Sequence, residues 1–192
     1  MKITLHKIIA VLLFTGSYMC VNAQAIPDTL RISIGVDAGM PNSDIYSSVL
    51  GGSLRIDYPI TRKLYVTATG GFNQMFISSK VFSSPTAFPQ SIANVKFADL
   101  QTVPIKVGIK YFAIRHFYLL GEVGETLLLN KAQAFATYNS SLTFSPQMGM
   151  LFFLKKRNYI DAGIRYESVK SFNNDNEKLD FWAAHIAFAF NL

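Results

Sequence analysis

Apolar and polar residues alternate with a period of two along most of the chain beyond residue 29. In the stretch 30–40, Leu30, Ile32, Ile34, Val36 and Ala38 share one side, and Arg31, Ser33, Gly35, Asp37 and Gly39 share the other. Successive side chains of a strand point to opposite faces, so this pattern predicts a strand with one apolar face. Eight such segments recur, at about 30–40, 48–58, 64–78, 99–112, 117–129, 140–154, 159–170 and 180–191. Leu50, Leu54, Ile56 and Tyr58 oppose Gly51, Ser53, Arg55 and Asp57. Val103, Ile105, Val107, Ile109 and Tyr111 oppose Lys106, Gly108 and Lys110. Ile160, Ala162, Ile164 and Tyr166 oppose Asp161, Gly163, Arg165 and Glu167. Trp182, Ile186, Phe188, Phe190 and Leu192 oppose Ala183, His185, Ala187, Ala189 and Asn191. Beyond the leader, no run of about 20 apolar residues is present to make a transmembrane helix.

The connections sort by length. Those after the second, fourth and sixth segments are short: PITRK, AIRH and KKRN. Those after the first, third, fifth and seventh are read as longer, above all residues 79–98. Strict alternation of short and long connections is the mark of a meander across a membrane, with tight periplasmic turns and longer external loops. Eight strands return both ends of the barrel to the periplasmic side.

Alternation alone does not say which face is inside. Three features point to an apolar exterior. The polar face is rich in Gly, Ala and Ser, which suits the crowded interior of a small barrel. Tyr58, Phe76, Tyr111, Phe117, Phe152, Trp182 and Phe190 lie near segment ends on the apolar face, as interfacial girdles do. The sorted connections are the third. The expected fold is therefore all-β, an eight-stranded antiparallel up-and-down transmembrane β-barrel; a secreted, lipocalin-like soluble barrel is the competitor. Pro104 and Pro146 fall inside predicted strands, where each should mark a bulge, a strand end or a rim. Glu125 falls on the apolar phase, either above the membrane or shifted by a bulge.

Composition agrees with this picture. Half of the 192 residues are hydrophobic and 16% are charged, against about 25% in a soluble domain. Residues 1–23 read as a secretory leader: Lys2 and Lys7, the short apolar run IIAVLLF, then Val21-Asn22-Ala23 before cleavage at Gln24. Residues 24–192 are the expected barrel domain. The alternative, lipidation at Cys20, is opposed by Tyr18 and Met19 before it. After cleavage no cysteine remains, so no disulfide is expected. The leader carries two bases and no acid, leaving 16 bases against 12 acids, a net +4. That is too mild to argue for a nucleic-acid partner.

VPIKVGIKYF (103–112) followed by FYLLGEVG (117–124), with YIDAGIRYE (159–167) and the closing AFAFNL, resembles the small outer-membrane β-barrel family common in Bacteroidota, whose members are labelled porin-family or outer-membrane β-barrel domain proteins. In shape that family is similar to the transmembrane domain of outer-membrane protein A. The likeness covers essentially the whole chain beyond the leader and rests on pattern. It implies export across the inner membrane, insertion into the outer membrane of a Gram-negative cell by the barrel-assembly machinery, and a monomer among outer-membrane lipids. The last strand looks like an assembly signal through Phe188, Phe190 and Leu192; the family's usual closing residue is aromatic, and here it is Leu192.

The inner phase collects Arg31, Arg55, Lys106, Lys110 and Arg165 against Asp37, Asp57, Glu122, Asp161 and Glu167, with His185 besides. An eight-stranded barrel is wide enough only to be filled by side chains. Isolated charges there cost several kcal/mol each, on the order given for buried ions. The balanced set therefore predicts a closed, paired network and disfavours a pore. Outside the leader the histidines are His116, in a short turn, and His185, with alanines at 183 and 187. No catalytic, cofactor or metal site is expected, since no Cys remains and no His pair has ligand spacing. The three short turns hold Arg62, Lys63, Arg115, His116, Lys155, Lys156 and Arg157 and no acid. They are expected to touch anionic lipid heads or periplasmic polymer; the alternative is that they are ordinary polar turns. Loop 79–98, with Val81, Phe82, Phe88 and Phe97, is a candidate lid. The chain ends at Leu192, so no peptidoglycan-anchoring domain is expected. The expected function is a non-enzymatic structural or surface-interaction barrel, with no extracellular ligand legible. The alternatives are a narrow pore for small solutes and a lipid-modifying enzyme.

Overall fold

A computed structural model describes residues 29–43, 45–78, 99–114, 116–130, 136–154, 158–170, 172 and 178–192. The leader 1–23, the candidate lid 79–98, Arg115, and Lys155, Lys156 and Arg157 lie outside the described residues. Eight strands follow in order: β1 (Arg31–Pro41), β2 (Tyr46–Pro59), β3 (Leu64–Ile77), β4 (Leu100–Phe112), β5 (Phe117–Leu128), β6 (Ser140–Phe153), β7 (Asn158–Lys170) and β8 (Lys178–Asn191). Each predicted segment ends within two residues of the observed strand. Neighbours in sequence pair antiparallel, and β8 pairs back onto β1 from Arg31↔Asn191 to Pro41↔Phe181. The barrel is closed, with no free edge.

The short turns are built locally. In the β2–β3 turn, Thr61 Oγ1 accepts hydrogen bonds from the backbone N–H of Lys63 (3.3 Å) and Leu64 (3.1 Å), the hydroxyl substituting for a backbone acceptor. The strict alternation of connection lengths does not survive. The β1–β2 connection is residues 42–45, as short as 60–63 and 113–116. Both flanking strands run further than the alternation shows, β1 to Pro41 and β2 from Tyr46; the register shift between Tyr46 and Ser48 lies on the other side of β2, in its pairing with β3.

The two prolines mark neither a bulge nor an end. Opposite Pro104 the β3–β4 ladder skips two pairs and resumes in the same register, from Gly70↔Ile105 to Asn73↔Thr102. Beside Pro146 the β6–β7 ladder does the same, from Phe144↔Ser168 to Gln147↔Arg165. A missing N–H removes a bond without moving the strand. Glu125 is likewise free of any bulge. It points outward in unbroken register with Ile105 and Leu142 and accepts a hydrogen bond from Ser140 Oγ.

The apolar phase is outside. Ile34, Val36, Ile105, Val107, Ile109, Ile164 and Ile186 are each more than half exposed. Tyr58, Tyr111 and Phe152 stand outward at the short-turn end; Trp182 stands outward at the other, its ring 5.0 Å from that of Tyr166. The polar phase is inside, and its glycines make room there. A Cβ on Gly149 would lie 2.6 Å from Cζ of Tyr118, and one on Gly35 would lie 2.8 Å from Cε1 of His185. Neither contact is tolerable, so these positions admit only glycine beside such large inner side chains.

Candidate functional site in the lumen

The inner face stacks three layers. At the end of the longer connections, Val49, Met75, Leu100, Leu128, Val169, Phe172 and Phe181 form an apolar plug. At the short-turn end, Tyr65, Phe112, Tyr118, Leu120 and Leu151 form a second cluster, with Tyr159 packed against it. Between them lie the charges. The sequence reading overlooked both plugs. Their signal is the phase itself: extending the Gly51, Ser53, Arg55 face back by two residues reaches Val49, and extending Ala183 and His185 reaches Phe181.

Ten of the predicted lumen residues join in one unbroken chain, nine through ion pairs and His185 through its hydrogen bond with Asp37. Asp57 meets Lys110 at 2.9 Å, and Lys110 meets Asp161 at 3.3 Å. Asp161 and Glu122 each lie 3.7 Å from Arg55. Glu122 lies 3.7 Å from Lys106, which meets Glu167 at 2.6 Å. Glu167 lies 3.5 Å from Arg165, and Arg165 lies 3.4 Å from Asp37. Asp37 ends the chain at His185 Nδ1, 2.8 Å away. Neutral groups fill the gaps. Arg55 donates to Gln147 Oε1 (2.8 Å), Gln147 donates to the Tyr118 hydroxyl (2.6 Å), and that hydroxyl donates to Asp161 (2.6 Å). Thr69 donates to Glu122 at 2.6 Å.

Most of these contacts cross the lumen between strands that do not touch. Lys106 of β4 reaches Glu167 of β7, Lys110 of β4 reaches Asp57 of β2, and Arg55 of β2 reaches Glu122 of β5. Asp37 and His185 differ: they are direct cross-strand partners on β1 and β8.

Arg31 stands apart. It has no carboxylate partner among the described residues. Its Nε donates to Asn191 Oδ1 at 3.0 Å, and its guanidinium lies 5.4, 5.8 and 5.1 Å from the ring centres of Tyr65, Phe112 and Tyr159. Without Arg31 the chain holds four permanent cations (Arg55, Lys106, Lys110, Arg165) against five carboxylates, so the five-against-five balance expected from sequence applies only to the lumen as a whole. His185 supplies the missing positive charge when protonated.

The ionic layer is dry. A channel of water width would expose the groups lining it, yet Asp57, Lys106, Lys110, Glu122, Asp161 and Glu167 are 0–1% exposed and Arg55 and Arg165 are 2% exposed. Among the described residues no group of three His, Cys, Asp or Glu side chains is placed to hold a metal ion. Of the basic-turn residues that are described, Arg62, Lys63 and His116 are all exposed. They rim a cavity of about 840 Å³ that opens at the short-turn end.

Fold and lumen together define a closed eight-stranded antiparallel barrel with an apolar outside and a polar, packed inside. Solved structures share this fold. Neisserial surface protein A aligns with a TM-score of 0.59 at 12% identity, covering 85% of this chain and 97% of that one. The outer membrane protein OprG from Pseudomonas aeruginosa aligns with a TM-score of 0.53 at 15% identity, covering 86% and 96%. No protein-family model and no curated protein sequence matches the chain.

Proposed function

We propose that the protein is an outer-membrane barrel of a Gram-negative envelope, of the small type resembled in Bacteroidota, with a sealed lumen and a structural or surface-interaction role. The outer-membrane part is supported by the exterior. Among the described residues, from the aromatic residues of one end to those of the other, Glu125 is the only Asp, Glu, Lys, Arg or His that faces outward, apart from Lys170, Lys178 and Asp180 at the far strand ends. Such a belt is an aggregation liability in water and a match for lipid. The two structural relatives, one called a surface protein and the other an outer membrane protein, agree with that setting.

The sealed lumen rests on one observation, the near-zero exposure of the ionic layer across the whole bore. It favours a structural barrel over a solute pore. It also disfavours an enzyme, because the His185–Asp37 pair is out of reach of any substrate. Single-channel recording of the refolded full chain tests this reading: a quiet membrane is expected, and steady large conductance overturns it. Val107→Arg tests the membrane setting. In a bilayer a cationic side chain at mid-depth on the lipid face costs about 2–4 kcal/mol, whereas a soluble barrel would tolerate it. Unfolding from lipid vesicles reads the difference.

The basic turns extend the proposal. Arg62, Lys63, Arg115, His116, Lys155, Lys156 and Arg157 would meet anionic heads of the inner leaflet and fix orientation. Changing all seven to Gln should lower correct orientation in anionic vesicles, and unchanged insertion and orientation would remove the idea.

A further inference from the structure

Arg31 is 6% exposed, and its Nη1 has no hydrogen-bond partner among the described residues. It lines the short-turn cavity together with the exposed Arg62, Lys63 and His116. Among the described residues no carboxylate lines that cavity. Every other permanent cation predicted for the lumen has at least one carboxylate within 3.7 Å. A buried guanidinium with a free N–H, held among the described residues by rings and one amide, is an incomplete anion site. Rings stabilise the charge from their faces but leave its in-plane donors unmet.

The cavity has room for a ligand. Its volume of about 840 Å³ lies within the 300–1,000 Å³ typical of small-molecule sites. Tyr65, Phe112, Phe153 and Tyr159 supply aromatic wall to receive an apolar body. The planar fork of Arg31 suits bidentate contact with phosphate. Several cations around one mouth also exceed what a single carboxylate would neutralise, whereas a phosphate monoester carries about −1.5 to −2.

We infer that the short-turn mouth binds a phosphate-bearing amphiphile, its phosphate on Arg31 and the rim cations and its apolar part against the aromatic wall. This goes beyond contact of the turns with a membrane surface, because the head enters the mouth and Arg31 is no part of the turns. The sealed ionic layer lies deeper and is judged by conductance, so the two readings fail separately. Two sources present this chemistry, a membrane phospholipid and a free organic phosphate.

The test is calorimetric titration of the refolded full chain in a neutral maltoside detergent with phenyl phosphate, dihexanoylphosphatidylglycerol and inorganic phosphate. Saturable one-to-one binding of at least one organic probe is expected. Saturation by phenyl phosphate assigns the site to a free organic phosphate; response to the short-chain lipid alone assigns it to a headgroup. Arg31→Met should weaken binding by about tenfold or more, as expected for loss of a charge-assisted hydrogen bond. If that variant does not refold, Arg31→Lys keeps the charge without the fork, and about fivefold weakening is expected. The exposed double variant Arg62→Gln/Lys63→Gln should cost about threefold, as rim charges do. Absence of saturable binding by both organic probes, or affinity unchanged by both the Arg31 and the rim variants, overturns the inference. Inorganic phosphate binding as tightly as phenyl phosphate would overturn the role given to the aromatic wall.

Discussion

Arg55 and Arg31 occupy inner positions on neighbouring strands, and both are nearly inaccessible, yet different partners keep them there. Arg55, in the middle of the bore, has Glu122 and Asp161 at 3.7 Å and Gln147 at 2.8 Å. Arg31, at the mouth, has three aromatic rings within 5.8 Å and one amide. Mid-bore, away from water, only an opposite charge offsets desolvation, and Coulomb attraction is strong there. Near the mouth, ring faces and one amide hold the charge and leave one of its N–H donors unmet. The depth of a charge in the barrel thus selects the chemistry of its partner.

The severest challenge to this contrast is Lys106→Met. It takes from Glu167 its nearest cation and from Glu122 one of two, leaving them Arg165 and Arg55 alone, and loss of one partner of a buried pair costs about 3–5 kcal/mol. Urea unfolding from lipid vesicles, followed by the heat-dependent shift in gel mobility, measures it. A cost near that of a surface pair, under about 1 kcal/mol, would mean the layer is wet and the contrast false. Arg31→Met should cost less, about 1–2 kcal/mol, because it removes cation–π contacts and orphans no carboxylate. If the same assay gave it the same penalty as Lys106→Met, depth would not be what matters. The smallest effect belongs to Tyr159→Leu, which removes one of three rings from Arg31 and one edge contact with Phe153. About 0.5–1 kcal/mol is expected, with Arg31 remaining buried.

Strand number, strand bounds and the facing of each residue were legible because a period of two is a direct imprint of the pleat. Asp161, Arg165 and Glu167 could be placed on one wall from the segment 159–167 alone. Depth along the bore was not legible, because alternation carries no vertical coordinate. Arg31 therefore looked equivalent to Arg55. The plugs were missed for a related reason. At strand ends both phases turn apolar, so Tyr65, Phe112 and Phe181, which face in, blend with Tyr111 and Trp182, which face out. The first connection was misjudged because Asn42 and Ser43 follow Pro41 as a polar run, which resembles the start of a longer loop.

The in-register gaps at Pro104 and Pro146 have a mechanical consequence. They fall on the β3–β4 and β6–β7 seams, so β4, β5 and β6 form a panel joined to the remaining wall along two thinned joints. Lys106–Glu167, Lys110–Asp57 and Arg55–Glu122 each run from that panel to a strand outside it. They act as spokes of a wheel whose rim is thin in two places. Lateral pressure that would hinge the panel inward or outward must strain these spokes, so the wall draws its stiffness from its axle region as well as from its circumference.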